Sequence, residues 1–545
     1  MLPDDPDVER ALAILYEDFS MLDKATAYNQ KLLARDPKNV DALQHMGWVE
    51  LKRGNPQAGL DYLTRALTLT IQLGNDEQRA ETLDALGQTY QFLNKFDDAL
   101  RSLQDALAIK RKVGNKGGMA LTMELMAQVQ DSLGHADQAL KNYQEALSLH
   151  RELGDKRALG GNLLDLGLFY ENHGQYDQAL SLSKEALSLL QELGDPTNES
   201  ICLGNIGSIY FDKADYENAM SYFQQGLRLR EQLKDPRMIA DSLYNLGQTF
   251  VGLGQYNQGI DNYLRALELW RKIGDKRGLA VTSYGLGTLF EYQGRYGAAL
   301  NAEQEALNTF RELKERSFTM AQIQSGYGNA LSLIGRGNEG QKNLDEALAI
   351  ARELKNDPLM AQIRNLQGDR LFYSGDFKAA SDLYQQAMQA ATRSKDRQQT
   401  VISTFNLAKV AVQQGRWQQA INSMKGLAQQ ADRAGLKNLS VECSVYLGEA
   451  FLNSKDYSRA RQQLQDSLRD SEKLGMQSLL AKSHYLLATN LRLSGNQAEA
   501  SHHYTEAHRI LDDIRKEAHS DDVLKRSDLA TIYQESTRRS QSPKA

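Results

Sequence analysis

The segment 275–313 reads DKRGLAVTSYGLGTLFEYQGRYGAALNAEQEALNTFREL and contains one complete structural unit. Asp275 is suited to cap a first helix, because its carboxylate can accept from the free amides of the first turn. Small and apolar residues then recur every three or four positions, with Gly287 near the centre of this helical face. Gly294 ends the helix, where a left-handed residue is required. A second amphipathic helix follows, so the segment predicts a hairpin of two antiparallel helices.

The small residue at the centre of the first helix recurs along the chain at a nearly fixed interval. Successive members are 40 residues apart, with one interval of 41. The series is Gly47, Gly87, Ala127, Gly167, Gly207, Gly247, Gly287, Gly328, Gly368, Ala408, Gly448 and Ala488. A period of this length is typical of solenoids, in which each hairpin buries its apolar stripe by stacking on its neighbours. We therefore expect each repeat to contact only adjacent repeats.

The residues at fixed positions in each unit carry a family resemblance. Small residues stand at positions 8, 20 and 27, with an aromatic at position 11, as in Gly87-Gln88-Thr89-Tyr90 followed by Ala99 and Ala106. This pattern resembles the tetratricopeptide repeat. The 40-residue form with a joint such as Leu153-Gly154-Asp155 is similar to the variant of Pins/LGN-type adaptors, kinesin light chains and bacterial signalling arrays.

The resemblance implies an all-α fold, a right-handed α-solenoid (superhelix) of stacked antiparallel helix hairpins. It covers residues 1–518 as an array of about 13 repeats. The segment 519–536 is expected to form a C-terminal capping helix over the apolar side of the last repeat, and 537–545 a disordered tail. Five glycines between Gly326 and Gly340 predict a soft joint in the ninth repeat, with faster amide exchange at 314–340 than at 240–300.

Composition excludes several classes of protein. The 545 residues are 25% charged with a net charge of −6, which argues against a general nucleic-acid binder. No apolar run reaches the length needed to span a membrane, and the acidic N-terminus does not resemble a signal peptide. Cys202 and Cys443 lie far apart in sequence, so we expect buried free thiols in a reducing compartment. These features favour a cytoplasmic protein.

The sequence contains no recognisable catalytic constellation. The glycines at 114–118 lack the spacing of a phosphate-binding loop. His503 and Glu499 are four residues apart and could share a metal, but surface polar residues explain them as well. We therefore predict a protein that is not an enzyme and has no metal and no cofactor.

The resemblance implies that helix-A positions 2, 5, 6, 9, 12 and 13 line a concave groove. From the third to the tenth repeat these positions carry ten carboxylates and no Lys or Arg, and the basic residues occur only at the ends, for example Lys409 and Lys482. The candidate groove residues are Glu81, Asp84, Glu124, Asp165, Asn205, Asp212, Asp241, Tyr244, Asn245, Tyr284, Glu291, Asp369 and Asn406. The resemblance implies that the Asn residues hold the main chain of a ligand. The alternative is a solvated inner face whose aromatic residues pack between repeats.

Two functional hypotheses remain open. The first is an interaction scaffold that binds a peptide or a partner segment, basic or amphipathic, in the concave groove. The second is a sensory or regulatory arm of a larger bacterial signalling protein, such as a kinase or a protease. Both predict a protein or peptide partner, with neither nucleic acid nor membrane, and the sequence does not predict the oligomeric state.

Overall fold

The computed structural model describes residues 5–18 and 21–540, apart from the side chains of residues 17 and 18. In these residues all regular structure is helical, and the helices form 13 consecutive hairpins followed by a C-terminal segment. The predicted fold class, an all-α solenoid of antiparallel hairpins, is confirmed. The chain divides into two compact units, Met1–Ile209 and Tyr210–Ala545. We call the first helix of each hairpin helix A, the second helix B, and number the hairpins as repeats 1 to 13.

Repeats 1 to 7 contain the first fourteen helices. They are α1 Pro6–Asp18, α2 Leu22–Arg35, α3 Val40–Lys52, α4 Pro56–Leu73, α5 Asp76–Phe92, α6 Phe96–Val113, α7 Lys116–Ser132, α8 Ala136–Leu153, α9 Lys156–Asn172, α10 Tyr176–Leu193, α11 Pro196–Asp212, α12 Tyr216–Leu233, α13 Pro236–Gly252 and α14 Tyr256–Ile273.

Repeats 8 to 13 and the C-terminal segment contain the others. They are α15 Lys276–Gln293, α16 Tyr296–Arg311, α17 Phe318–Leu333, α18 Gly337–Glu353, α19 Asp357–Tyr373, α20 Phe377–Ser394, α21 Arg397–Gln413, α22 Trp417–Met424, α23 Leu427–Arg433, α24 Lys437–Asn453, α25 Tyr457–Leu474, α26 Gln477–Leu493, α27 Gln497–Arg515, a 3-10 helix Val523–Lys525 and α28 Ser527–Ser540. Helix B of repeat 11 is divided into α22 and α23, and α28 lies beyond the last repeat.

The helix boundaries follow the predicted capping residues. Asp275 Oδ1 accepts from the Gly278 amide at 2.8 Å and so starts α15. Gly294 ends the same helix with φ +75°, a conformation that a residue with a Cβ adopts only at a cost. Asp155 caps α9 in the same way, after Gly154 has ended α8.

The recurring small residues lie where two helices approach closely. A Cβ built on Gly247 of α13 would lie 2.6 Å from Cδ1 of Tyr263 on α14. Ala299 and Ala306 of α16 are fully buried against the neighbouring helices. A larger residue at such a position overpacks the seam, which explains why Gly and Ala predominate there.

The second unit closes on itself, so the expectation that repeats contact only their neighbours is wrong there. Tyr256 and Ile260 of repeat 7 share a hydrophobic cluster with Val441 of repeat 12 and Met476, which precedes repeat 13. The turn at Gly294 in repeat 8 reaches the start of α26, where a Cβ on the glycine would lie 3.1 Å from the Ser478 nitrogen. Stacking brings repeats 7 and 8 back to repeats 12 and 13 within one unit. This closure depends on the angles between successive repeats, which local sequence does not encode.

The α-helix of the C-terminal segment begins later than predicted, and the segment covers more than the last repeat. Its helix spans Ser527–Ser540 rather than 519–536, so the first four residues of the expected tail are helical, and 541–545 lie outside the described residues. Val523 and Leu529 pack with Ile510 of repeat 13 in one cluster that also contains Leu331 of repeat 9. The Ser527 hydroxyl donates to the Phe372 carbonyl of repeat 10 at 2.9 Å. The segment therefore joins the last repeat to repeats 9 and 10.

The glycines of repeat 9 lie at close helix contacts. A Cβ on Gly328 of α17 would lie 2.9 Å from the Gly340 carbonyl oxygen of α18, so the two helix backbones approach each other at this point. Both helices are continuous, α17 over Phe318–Leu333 and α18 over Gly337–Glu353. The glycines therefore act in packing, which local sequence cannot distinguish from flexibility.

Candidate functional site

A cavity of about 490 Å³ lies inside the second unit. Its walls come mainly from helix A of repeats 8 to 13 and from the C-terminal segment. Four of the predicted groove residues line it together, namely Tyr284, Glu291, Asp369 and Asn406. Glu442 of repeat 12 lines it as well and was not predicted.

A buried lysine occupies the centre of one wall. Lys409 Nζ lies 2.9 Å from Asp369 Oδ1 and 3.8 Å from Glu442 Oε1. The Tyr384 hydroxyl donates to the same Asp369 oxygen at 2.7 Å. Burial alone would lower the pKa of Lys409, but the Asp369 and Glu442 carboxylates raise it above its ordinary value. Lys409 therefore stays charged and neutralises part of the acidic lining.

Two further cations reach the cavity from the C-terminal end of the chain. Lys482 Nζ lies 2.7 Å from Glu449 Oε2 and 3.4 Å from the ring centroid of Tyr446. Arg526 forms a bidentate pair with Asp528, at 2.7 and 3.1 Å. In this unit the lining is thus of mixed charge, although helix-A positions of repeats 3 to 10 indicated a purely acidic groove. The count of charged residues at helix-A positions of repeats 3 to 10 did not include Arg526, because Arg526 lies outside the repeats. Nor did it show that closure of the unit brings Lys482 of repeat 13 to the same cavity as repeats 8 to 10.

Asn406, predicted to hold a ligand's main chain, takes part in an internal amide network. Its Nδ2 donates to Asn365 Oδ1 at 3.3 Å. Asn365 Nδ2 in turn donates to Ser403 Oγ at 3.0 Å and to Gln399 Oε1 at 3.1 Å. Asn406 is 3% exposed, so this network first serves to join repeats 10 and 11.

The first unit has a separate concave pocket of about 690 Å³ on repeats 4 to 6. It contains the predicted residues Glu124, Asp165 and Asn205, together with Leu121 and Leu168. All five stand at helix-A positions 2, 5, 6 or 9 of their repeats. The structure thus brings the second group of predicted residues together on one surface.

The carboxylates of this pocket are partly removed from water. Glu124 Oε1 is 2.9 Å from His150 Nε2 and accepts from Asn162 Nδ2 at 2.8 Å. Burial raises the pKa of Glu124 to about 7 and lowers the pKa of His150. Both shifts favour the neutral forms, so this contact is a hydrogen bond rather than an ion pair, and Glu124 changes its protonation near neutral pH. Asp165 accepts from Gln128 Nε2 at 3.2 Å, and burial raises the pKa of Asp165 as well.

The other predicted residues lie outside both cavities. Asp84 is buried in an ion pair with Lys110 and accepts from the Thr122 hydroxyl at 2.9 Å. Lys110 of the same repeat therefore compensates its negative charge. The Tyr244 hydroxyl accepts from Gln248 at 2.9 Å. The remaining residues are Glu81, Asp212, Asp241 and Asn245, of which the three carboxylates are exposed. The partner Lys110 belongs to helix B, which the count of helix-A positions did not include.

The candidate metal ligands and the two cysteines lie elsewhere in the described part of the chain. There, no group of three or more His, Cys, Asp or Glu side chains is arranged to hold a metal ion. His503 contacts His484, with 2.8 Å between the two Nδ1 atoms. Cys202 and Cys443 are buried free thiols, as expected. Across residues 5–18 and 21–540, none of the helices has the length and apolarity that a membrane span requires.

Comparison with family models identifies the class of protein. A tetratricopeptide repeat model matches residues 40–112, 161–232, 238–312 and 319–393. A second tetratricopeptide repeat model matches residues 365–435 and 405–473. The chain therefore belongs to the tetratricopeptide repeat family. A model described as anaphase-promoting complex subunit 5 matches residues 119–163, and no curated protein matches the chain.

Solved structures of similar fold include three tetratricopeptide repeat proteins or complexes. A Signal Transduction ATPase with Numerous Domains from Pyrococcus horikoshii, with a tetratricopeptide repeat sensor, is 18% identical with a TM-score of 0.45; the match covers 57% of this chain and 48% of that protein. The apo form of RapI is 14% identical with a TM-score of 0.41, covering 50% of this chain and 98% of RapI. The Cut9–Hcn1 tetramer of the APC/C is 14% identical with a TM-score of 0.45, covering 96% of both chains.

Proposed function

We propose that this protein is an interaction scaffold that binds a basic or amphipathic segment of a partner protein on the concave side of repeats 4 to 6. The observation that carries the proposal is the composition of the pocket there. Leu121 and Leu168 are 48% and 47% exposed beside the carboxylates of Glu124 and Asp165. Exposed apolar side chains next to acidic groups fit a ligand with apolar and cationic side chains on one face.

The electrostatics of the pocket favour a cation in particular. Burial holds the pKa of Glu124 at about 7, because no cationic side chain compensates the removal of water. A lysine or arginine of the partner would supply that compensation and restore the ionised carboxylate. Asn198 and Asn205 line the same pocket and can bond to the main chain of the segment. Binding is therefore expected to strengthen as the pH rises through about 7.

The proposal is tested by fluorescence anisotropy with labelled peptides. The probe is a peptide of alternating Leu and Lys pairs in helical spacing, and the reference peptide has Glu in place of Lys. We expect the basic peptide to bind and its affinity to fall with added salt, because the contact is electrostatic. Changing Leu121 and Leu168 to Ser, or Glu124 and Asp165 to Gln and Asn, should each weaken binding by about tenfold or more.

A matched control distinguishes the pocket from surface hydrophobicity in general. Leu73 is 66% exposed at the end of α4 and does not line the pocket, so Leu73→Ser should leave the affinity unchanged. Equal or tighter binding of the acidic peptide would contradict the proposal. So would a loss of affinity in Leu73→Ser equal to that of the pocket variants.

A second function, a sensory arm of a larger signalling protein, is favoured by one feature of the second unit. Arg526, Asp528 and Leu529 of the C-terminal segment form part of the cavity wall. A ligand in that cavity would touch the segment directly, so occupancy and the position of the segment would be coupled. Determination of the flanking coding sequence tests this function: an adjoining kinase or protease domain would support it, and a chain that stands alone would oppose it.

A further inference from the structure

One carboxylate beside the cavity of the second unit has no hydrogen-bond donor. Glu303 lies on α16 and is 0% exposed. Among the described residues no donor reaches either of its side-chain oxygens. The same repeat position holds Tyr263 on α14 and Tyr384 on α20, so an acid stands where repeats 7 and 10 have an aromatic ring. A buried acid without a partner is costly, and its presence calls for a function.

Gly326 lies against this carboxylate at the wall of the cavity. Gly326 belongs to α17 and lines the cavity. A Cβ at this position would lie 2.6 Å from Glu303 Oε2 and 2.6 Å from Cε2 of Tyr284. Any side chain there would displace both groups, so this contact at the cavity wall requires glycine.

A second carboxylate lies at the same end of the cavity. Glu291 Oε2 accepts from Asn329 Nδ2 at 2.9 Å, whereas Glu291 Oε1 is buried and has no donor in the described structure. Burial raises the pKa of both Glu291 and Glu303, and the charge of Glu291 raises that of Glu303 further. Tyr284 and Tyr292 line the cavity beside them. Three carboxylate oxygens without a donor therefore adjoin aromatic rings.

The protein's own cations do not compensate these acids. Lys409 is paired with Asp369, Lys482 with Glu449, and Arg526 with Asp528. Each of these pairs is formed within repeats 10 to 13 or the C-terminal segment. The repeat 8 end of the cavity thus has two buried carboxyl groups that either hold a proton or receive a cation from a ligand.

We propose that Glu291, Glu303 and Tyr284 form a binding site for an alkylammonium group. An ammonium can donate to carboxylate oxygens that lack a donor, and it is attracted by the face of an aromatic ring. The cavity of about 490 Å³ is far larger than a metal ion and suits a small organic molecule. Gln322 and Gln362 line the walls and can bond to the polar body of such a ligand. The site belongs to the second unit and is independent of the peptide pocket proposed for the first.

The proposal is tested by isothermal titration calorimetry of the full chain at low salt. The probes are 1,5-diaminopentane and Nα-acetyl-lysine amide, and 1,5-pentanediol is the neutral analogue. We expect one saturable site for an amine and none for the diol. Preference for the diamine would identify a free amine as the natural source of the group, and preference for the lysine derivative would identify a protein side chain.

Variants locate the site. Glu291→Gln and Glu303→Gln should each weaken amine binding by about tenfold or more, because each removes a carboxylate oxygen and its charge. Glu305→Gln is the matched control, since Glu305 lies on the same helix but pairs with Arg271 at 2.7 Å. Circular dichroism checks that each variant folds. If Glu303→Gln fails to fold, the amine and diol comparison on the unmodified protein still decides.

Three results would overturn the proposal. They are the absence of saturable amine binding to the unmodified protein, equal binding of the diol, and unchanged affinity in folded Glu291→Gln and Glu303→Gln. Binding of the Leu and Lys peptide to the first unit would be unaffected by any of them, so the two proposals can fail separately.

Discussion

Replacing Arg526 by Ala should release the C-terminal segment from the second unit. Arg526 is 5% exposed and donates to the Leu333 carbonyl at 3.3 Å and to both oxygens of Asp528. Its guanidinium lies 4.1 Å from the ring centroid of Tyr373. These contacts join the segment to repeats 9 and 10, whereas Val523 and its apolar neighbours also hold it to repeat 13.

The magnitude follows from the charge that the change leaves behind. Removing one partner of a buried ion pair costs about 3–5 kcal/mol, because the other charge stays buried without compensation. Burial alone would raise the pKa of Asp528, but Arg526 lowers it, with smaller contributions from Lys482 and Lys409. These two lysines would still offset part of the loss, so we take the lower end, about 3 kcal/mol. Since the folded pKa of Asp528 is depressed, this stabilisation is present above its unfolded pKa and is lost as the pH falls through the folded one.

Hydrogen exchange with mass spectrometry measures the release directly. A local loss of about 3 kcal/mol corresponds to about 100-fold faster exchange over 520–540. Arg515→Ala is the control, because Arg515 pairs with Asp512 on the surface and such pairs contribute about 0–1 kcal/mol. Changing Arg526 and Asp528 together to Leu should restore most of the protection. Exchange in Arg526→Ala no faster than in the control, or a double variant worse than the single one, would refute the reasoning.

Three further predictions concern packing and titration. Gly368→Ala should lower the free energy of unfolding by about 1–3 kcal/mol, because a Cβ would meet the Tyr384 side chain of α20. Gly161→Ala, where a Cβ on α9 would point into open space, should raise the free energy of unfolding by up to about 1 kcal/mol. Urea titration measures both changes. The folded pKa of Glu124 is above its ordinary value of 4.5, at about 7, so stability is lost as the pH rises between them. The free energy of unfolding of Glu124→Gln should therefore rise relative to that of the unmodified protein by up to about 3 kcal/mol from about pH 5 to about pH 8. Thermal unfolding at both pH values measures this change, and a stability difference that is the same at both would contradict the prediction. Because its glycines pack closely, we now expect exchange over 314–340 to be no faster than over 240–300; faster exchange would restore the soft joint predicted from composition.

The fold could be predicted because its determinants are local. Gly247 and the residues that cap each helix act within one hairpin, where a small residue or a positive φ has a single structural meaning. Closure of the second unit could not be predicted in this way. It depends on how several small rotations add up between repeat 7 and repeat 13, and no residue pattern within one repeat determines that sum.

The candidate site could be predicted only in part, for a related reason. Helix-A positions identified Glu124, Asp165 and Asn205, which do line one pocket. The pattern did not show that Lys110 of helix B would neutralise Asp84. Nor did it indicate Glu303, which stands on helix B at a position normally used for core packing. For Glu303 the signal would have been its contact with Gly326 on the next helix A, which depends on the stacking geometry.

The burial of these carboxylates also changes how the acidic face should act. A row of ionised groups would attract cations over a distance set by the salt concentration. Glu124, Glu291 and Glu303 instead have raised pKa values, so each bears less charge near neutral pH than the sequence count implies. A cation that reaches them restores the ionised form and gains a strong, partly dry interaction. Selectivity for cations in both proposed sites therefore arises at contact, through desolvation and proton release, more than through a long-range field.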